Sequence, residues 1–347
     1  MVELTRTGMM LHRVHDTLVG TVGLILNLLL VYVAIKRTQP NFRKFANLVL
    51  LSAAIDILYS FFQLICQHQH EVFNGQFFFM ANGIERSVSE HTSYLISTVQ
   101  MTIALMSVSI LPVQFYYRFL LVHRSYPPSV WLLVGLTGVS VGVSFTLGVL
   151  GTLAHIESAK RGRDYYVSQL SAVWNDDRGD SKFISAIDLK DPIALIYYGF
   201  GSQVIAVSYG LSMFFGYKSV KFVLPSGLEI SERTKALRKQ YTRNLIVQAI
   251  CGYCTSVVPT GFVALISLLH VDARGWFIWF ATVISYGPLL NALIPLTIIR
   301  PYRSFVASLF GLKSAEQAGL STDGRSVATT TAAAKSKIVS VNQVSAD

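Results

Sequence analysis

Residues 45–66 read FANLVLLSAAIDILYSFFQLIC, a stretch of 22 residues whose single charged side chain is Asp56. A helix needs about 20 largely apolar residues to cross the hydrocarbon core of a bilayer. The stretch lacks the alternating pattern of a barrel strand, and closed barrels are the only other structures that satisfy every backbone group in lipid. It therefore predicts a membrane-spanning helix.

Six further stretches meet the same test. The chain is 52% hydrophobic and only 14% charged, whereas a soluble domain is usually about a quarter charged. The seven predicted spans are residues 17–35, 45–66, 93–122, 129–154, 192–216, 241–270 and 275–299. We therefore expect an all-α membrane protein, a seven-transmembrane helix bundle.

The distribution of Lys and Arg predicts which way the bundle lies in the membrane. Short loops on the cytosolic side are enriched in Lys and Arg. With the N-terminus outside, the inner segments hold sixteen of these residues and the short outer segments hold four. We expect an extracellular N-terminus and a cytosolic C-terminus. The same arrangement accounts for the net charge of +10 without a nucleic-acid partner.

The two ends of the chain differ from the spans. Residues 1–16 are predicted to form an extracellular N-terminus, and residues 17–299 the transmembrane domain. Pro301 interrupts the last helix, and Phe305, Val306 and Leu309 then fall on one side of a short amphipathic helix, 300–313, along the inner face. Residues 314–347 hold ten Ser or Thr and little apolar surface, which predicts a disordered cytosolic tail.

Polar residues inside spans are costly and are the first place to look for function. Asp56, Asn27 and Asn291 all fall roughly 13–17 Å from the inner surface, at 1.5 Å per helical residue. If spans one, two and seven are neighbours, these three side chains share one hydrogen-bonded network. Asp56 would then be protonated or hold a small cation. A conformational switch and a purely structural knot between helices explain this layer equally well.

A second polar set lies nearer the outer half of the spans. Its members are Gln63, Tyr94, Gln100 and Tyr286. They are candidates for lining a ligand pocket that opens to the exterior. Gln and Tyr also serve simply as hydrogen-bond partners between helices, so both interpretations stand.

Basic residues mark the inner ends of spans three and six. Arg118, which follows Tyr117, either snorkels to the interface or closes the inner side of a conformational switch. The basic connection that leads into span six, residues 217–240, suits anionic lipid head groups or an acidic partner surface. It includes Lys235, Arg238 and Lys239.

The sequence shows no pattern typical of an enzyme, a metal site or a cofactor site. Of the three cysteines, Cys251 and Cys254 form a Cys-x-x-Cys inside an apolar run, where small packing residues are the preferred explanation. His68, His70 and His91 share one outer loop without metal-ligand spacing. No paired aspartates or His-rich sets lie within the spans. We expect no enzymatic activity, no metal and no cofactor.

Four segments, in order along the chain, resemble the nematode seven-transmembrane chemoreceptors, a group similar to G-protein-coupled receptors, and most nearly its Str and Srd classes. They are TQP at 38–40 with DILYS at 56–60, FYYRF at 115–119, RKQ at 238–240 with LIVQ at 245–248, and IIRPYR at 298–303. The likeness covers about residues 23–310.

This resemblance implies a chemosensory receptor that binds an odorant or a pheromone and activates a heterotrimeric G protein. It implies a plasma-membrane location in sensory neurons. It also implies a G-protein surface at the inner ends of spans three and six and on the helix after span seven. Its residues would be Tyr117, Arg118, Lys235, Arg238, Lys239, Arg243 and Arg303. The competing class is a seven-span ligand-gated channel or small-solute transporter. A carrier would be expected to show internal repeats or several buried charges, and the sequence shows neither.

Overall fold

The computed structural model describes residues 6–123, 128–170, 184–221, 232–309 and 311. Within these ranges seven helical stretches are long and apolar enough to cross a membrane, which confirms the predicted number of spans. They are Thr7–Arg37, Pro40–Cys66, Glu90–His123, Val130–Ala159, Pro192–Lys221, Lys235–Leu268 and Phe277–Ile298. The predicted tail, 314–347, lies outside the described residues.

Spans three and six each consist of more than one helix. The helices are α1 (Arg6–Arg37), α2 (Arg43–Cys66), α3 (Glu90–Ser109), α4 (Leu111–His123), α5 (Val130–Ala159), α6 (Arg163–Val167), α7 (Pro192–Lys221), α8 (Glu232–Gly252), α9 (Val258–Leu268), α10 (Phe277–Ile298) and α11 (Arg300–Leu309). Span three is α3 followed by α4, and span six is α8, a π-helical turn at Tyr253–Val257, and α9.

Proline explains both interruptions. Pro112 is the second residue of α4, and Pro259 is the second residue of α9. Proline cannot donate a backbone hydrogen bond, and its ring clashes with the carbonyl four residues earlier. The wide π turn before Pro259 is a common way to absorb that clash. Span six therefore has a built-in irregular point near its middle.

The first helix begins at Arg6, earlier than the residue 17 predicted from the apolar run. One face of this extension packs against the rest of the bundle, whereas Met10 and Leu11 on its other side are exposed. His12 is only 3% exposed, and its ring meets the edge of Trp279 with centroids 6.0 Å apart. Hydropathy alone did not indicate this segment because it holds polar residues that the fold covers.

Large apolar side chains point outward along the spans. Trp131 is 81% exposed, Met213 74% and Leu18 61%. Exposed apolar surface on this scale is unusual for a soluble monomer. It fits helices whose outer faces lie against lipid.

One end of the bundle has a small antiparallel sheet, which the sequence did not predict. Its strands are β1 (His68–Phe73), β2 (Gln76–Ala81) and β3 (Ile184–Asp188), in that order. Asn74 and Gly75 join β1 to β2 with φ of 49° and 78°. Positive φ at both residues is the geometry of a tight Asn-Gly hairpin turn. We refer to this end of the molecule as the sheet end.

The other end of the bundle, which we call the α11 end, is closed by aromatic packing. Tyr302 of α11 is fully buried, and its hydroxyl lies 2.7 Å from Thr38 Oγ1 and 3.3 Å from the hydroxyl of Tyr241. Farther along α11, the Phe305 ring packs on Tyr32 of α1 with centroids 5.9 Å apart. These contacts fix the last helix across the ends of spans one and six.

Candidate functional site

A cavity of about 240 Å³ lies inside the bundle. Helices α2, α3, α4, α7, α8, α9 and α10 line it, and strands β1 and β2 line it at the sheet end. Most of its wall is apolar, as is usual for small-molecule pockets, which place a few polar groups to orient the ligand. The polar groups in this wall therefore define the candidate site.

Five buried polar atoms in the cavity wall make no hydrogen bond to any group in the described part of the chain. They are Asp56 Oδ2, His70 Nδ1, Gln100 Oε1, Tyr198 OH and Tyr209 OH. Buried polar atoms are nearly always hydrogen-bonded in proteins, to protein or to another molecule. These five atoms are thus available to a bound molecule and give the cavity both donors and acceptors.

The sheet end of the cavity is aromatic. The His70 ring stacks on Phe77 at 5.3 Å and meets Phe79 edge-on at 4.8 Å, and Phe79 meets the ring of His155 at 4.6 Å. Burial, reinforced by the nearby imidazoles of His68, His12 and His155, holds the pKa of His70 well below its ordinary value. His70 is consequently a neutral ring at physiological pH.

The middle of the cavity holds the predicted polar layer, in a different form from the one expected. Asn291 of α10 donates a hydrogen bond of 3.2 Å to Asp56 Oδ1. Asn27 does not join them. Its amide donates instead to the backbone oxygens of Gly23 (2.9 Å) and Pro288 (3.0 Å), which ties α1 to α10. The expected network of three side chains is therefore one pair plus a separate structural contact.

Two amide residues that were not predicted to belong to this layer extend the pair toward the α11 end. Gln248 donates to the backbone oxygen of Asn291 at 2.9 Å, and Asn244 donates to Gln248 Oε1 at 2.8 Å. A polar chain therefore runs from Asp56 on α2, through α10, to Asn244 on α8. The sequence pattern that predicts this chain is a pair of amide side chains four residues apart in the apolar span six, Asn244 and Gln248.

Arg118 lies beyond that chain and is buried rather than exposed at the surface. It is 2% exposed, donates to the backbone oxygen of Arg238 at 2.8 Å, and contacts Thr242 Oγ1. Its guanidinium also lies over the Phe45 ring, 5.2 Å from the centroid. Arg118 thus joins α4 to α8, as a lock between spans three and six would.

The other residues expected at the G-protein surface differ in how far they are exposed. Tyr117 is fully buried and donates to the backbone oxygen of Pro128 at 3.3 Å. Arg238 is half-buried. Four residues are exposed at the α11 end: Lys235, Lys239, Arg243 and Arg303.

Of the four residues expected to line a ligand pocket, only Gln100 lines the cavity. Gln63 is buried on α2 outside it. Tyr94 donates to Glu90 at 3.3 Å on its own helix, and the Tyr286 hydroxyl lies 2.8 Å from His15 Nε2 on α1. The structure places Tyr198 and Tyr209 of α7 in the wall instead. Their signal in the sequence was weak, because tyrosines in an apolar run also face lipid.

Comparisons with known proteins identify relatives in sequence and in fold. The family described as the serpentine type 7TM GPCR chemoreceptor Str matches residues 13–307. Serpentine receptor class delta-3 of Caenorhabditis elegans is 24% identical over 303 residues, covering 84% of this chain and 86% of the relative. The crystal structure of squid rhodopsin aligns with a TM-score of 0.58 at 10% identity, covering 90% of this chain and 87% of rhodopsin. At that identity the match to rhodopsin shows the fold alone.

Proposed function

Because the chain belongs to the Str family of serpentine seven-transmembrane chemoreceptors, we propose that it binds a small external molecule in the cavity and activates a heterotrimeric G protein. The ligand is an odorant or a pheromone. The sheet end and the N-terminus face the exterior, and the α11 end and the C-terminus face the cytosol. This orientation follows the excess of Lys and Arg in the inner segments.

The observation that best supports this proposal is the continuity between the cavity and Arg118. Asp56 and Asn291 belong to the cavity wall, and Gln248 and Asn244 continue from them into α8. Thr242, two residues before Asn244 on the same helix, contacts Arg118. A ligand that displaces the Asp56–Asn291 pair therefore acts on the helix that holds the lock.

The mechanism is a shift between two arrangements of the bundle. In the closed arrangement Arg118 holds α4 against α8, and in the open arrangement these contacts separate at the α11 end. A ligand shifts the equilibrium only by its difference in affinity for the two states. Changing the ratio from 1:99 to 99:1 requires a preference of about 10⁴-fold. The π turn before Pro259, which lies beside the cavity, is the natural hinge in span six.

The G-protein surface forms at the α11 end. Lys235, Lys239, Arg243 and Arg303 are exposed there and give it a positive charge. When the lock opens, Tyr117 and Arg118 would become part of this surface. The backbone oxygen of Arg238 would then lose the hydrogen bond that it accepts from Arg118. The same positive charge attracts the anionic lipids of the cytosolic leaflet, so membrane lipids are a second partner.

The protein is a multi-pass membrane protein. We infer that it resides in the plasma membrane, where its outer face meets external chemical cues, and that it is found in sensory neurons because it belongs to a chemoreceptor family.

The decisive experiment measures G-protein activation by the purified full chain in lipid nanodiscs. Small volatile and polar compounds are first screened for direct binding, and bound compounds are then tested for nucleotide exchange on a panel of heterotrimeric G proteins. We expect at least one compound to accelerate exchange. The proposal is rejected if compounds that demonstrably bind leave exchange unchanged. A ligand-gated current in cells lacking G-protein signalling would instead identify a channel.

A further inference from the structure

Three side chains with different metal-ligating atoms meet at the sheet end. They are Cys66, His68 and Glu85, and one ligand atom from each lies within 4.8 Å of the other two. The sequence assigned no role to Cys66, and the histidines of this loop showed no metal-ligand spacing. The fold creates the cluster because it brings residues from both ends of the hairpin together.

The backbone holds these residues in place. Cys66 ends α2, and Gln67 then adopts a left-handed conformation, with φ of 47°, that turns the chain into β1 at His68. Beyond β2, the amide of Gly83 donates to the backbone oxygen of Cys66 at 2.9 Å. A Cβ at Gly83 would lie 1.9 Å from the backbone oxygen of Ile65, so only glycine permits this approach. Glu85 follows two residues later and is thereby fixed beside His68.

The cluster is buried and contains a carboxyl group. Cys66 is 0% and Glu85 1% exposed, and the His68 side chain is 7% exposed. Ser97 of α3 donates to Glu85 Oε1 at 2.9 Å, which orients the carboxylate and directs Oε2 toward His68 Nε2. Buried charges in proteins are usually paired or bound to metal ions, and a divalent cation would supply two positive charges at this position.

We propose that Cys66 Sγ, His68 Nε2 and Glu85 Oε2 form a Zn²⁺ site. Sulfur, nitrogen and oxygen ligands together suit zinc, whereas calcium and magnesium prefer oxygen alone. Zinc binds such atoms at about 2.0–2.3 Å, so it replaces the direct contact between His68 and Glu85 with two coordinate bonds. The thiolate and the carboxylate together neutralise the ion.

Three protein ligands leave the fourth zinc position for a water molecule or another coordinating group. His68 also lines the cavity, so the ion lies at the cavity's margin. Binding converts the Cys66 thiol to a thiolate and releases its proton to solvent, together with any proton on His68. Zinc affinity therefore rises with pH.

The test uses the purified full chain in detergent and does not depend on receptor activity. Co²⁺ is added as a spectroscopic substitute, and Zn²⁺ affinity is measured by competition with a fluorescent chelator. We expect one ion per chain and a thiolate-to-cobalt charge-transfer band that zinc abolishes. Cys66→Ser removes the band, whereas Cys254→Ser, at an exposed cysteine, keeps it.

Ser97→Ala provides a milder second variant. Removing a residue that orients a metal ligand typically weakens metal affinity about 10–100-fold, and we expect a loss in that range. His91→Gln, on the exposed start of α3, serves as its control and leaves affinity unchanged. The proposal is overturned if the unmodified chain binds cobalt without a thiolate band, or binds no metal tightly enough to compete with the chelator.

Discussion

Arg118 on α4 donates a hydrogen bond of 2.8 Å to the backbone oxygen of Arg238 on α8. The acceptor is a carbonyl near the start of α8, so this contact joins spans three and six without an acidic partner. Hydrogen bonds from charged groups contribute about 1.5–3 kcal/mol, more than an ordinary neutral pair. The contact is strong enough to bias a two-state bundle and weak enough for a ligand to overcome.

Thr242→Val tests this lock without changing side-chain shape. The substitution removes the hydroxyl that Arg118 contacts and leaves the Arg238 carbonyl in place. A loss of about 1.4 kcal/mol is a tenfold change in equilibrium, so ligand-independent G-protein activation should rise about tenfold. Thr297→Val, at an exposed threonine of α10, is the matched control. Equal basal activity in both variants would show that the Thr242 contact does not restrain the bundle.

Asp56 and Asn291 should be energetically coupled. Single and double alanine substitutions are compared by the free energy of unfolding in detergent. Residues in direct contact usually show a coupling energy of about 0.5–3 kcal/mol, and we expect the effects of Asp56→Ala and Asn291→Ala to fall short of additivity by that amount. Asn27→Ala should be additive with Asp56→Ala, because among the described residues the Asn27 amide donates to the backbone oxygens of Gly23 and Pro288 and not to Asp56. Additivity in the first pair would contradict the observed hydrogen bond.

The number of spans was predictable because each apolar run is long enough to cross a bilayer by itself. The sheet was not, since its pairing joins Gln76 to Asp188, far apart in the chain. The hairpin half of it had a local signal in Asn74-Gly75, which a reading of hydropathy alone overlooked.

The sequence predicted how deep the candidate residues lie in the membrane, but not which way their side chains face. Counting residues along helices placed Asp56 level with Asn291, and the structure brings them into contact. Depth does not fix how a helix is rotated about its axis, so Tyr94 and Tyr286 were expected in a pocket that they do not line. The structure places Tyr198 in the wall instead.

Removing the hydroxyls of Tyr198 and Tyr209 should separate ligand affinity from stability. Both hydroxyls are buried in the cavity wall, and neither bonds to a group in the described part of the chain. Each Tyr→Phe change should leave the ligand-free protein as stable or more stable, because it removes an unsatisfied group. A hydrogen bond to ligand contributes about 0.5–1.5 kcal/mol, so affinity for a ligand that bonds the hydroxyl should fall about two- to tenfold. Tyr94→Phe and Tyr286→Phe should leave affinity unchanged. The reverse pattern would place the ligand elsewhere.

Gly148 of α5 should tolerate no side chain. A Cβ there would lie 2.3 Å from Thr102 Oγ1 and 3.0 Å from the backbone oxygen of Thr98 on α3. Overpacking of this kind costs about 1–3 kcal/mol, so Gly148→Ala should lower the thermal midpoint by several degrees. Gly142→Ala on the same helix, where a Cβ meets nothing within 4 Å, should be neutral or stabilising. If both variants melt alike, α3 and α5 do not approach as closely as described.

His70 should make the fold sensitive to acid. Its folded-state pKa lies well below the ordinary value of a histidine because of burial and the imidazoles of His68, His12 and His155. The unfolded chain then binds more protons at low pH, so stability falls as pH drops below about 6.5, by at most about 1.4 kcal/mol per unit from this group. His70→Phe keeps the stacking on Phe77 and removes the titration. Its melting temperature between pH 7.5 and pH 5.5 should fall less steeply than that of the unmodified chain, whereas His91→Phe, at an exposed histidine, should not change the slope. Parallel curves for His70→Phe and the unmodified chain would mean that His70 has the same pKa in the folded and the unfolded chain.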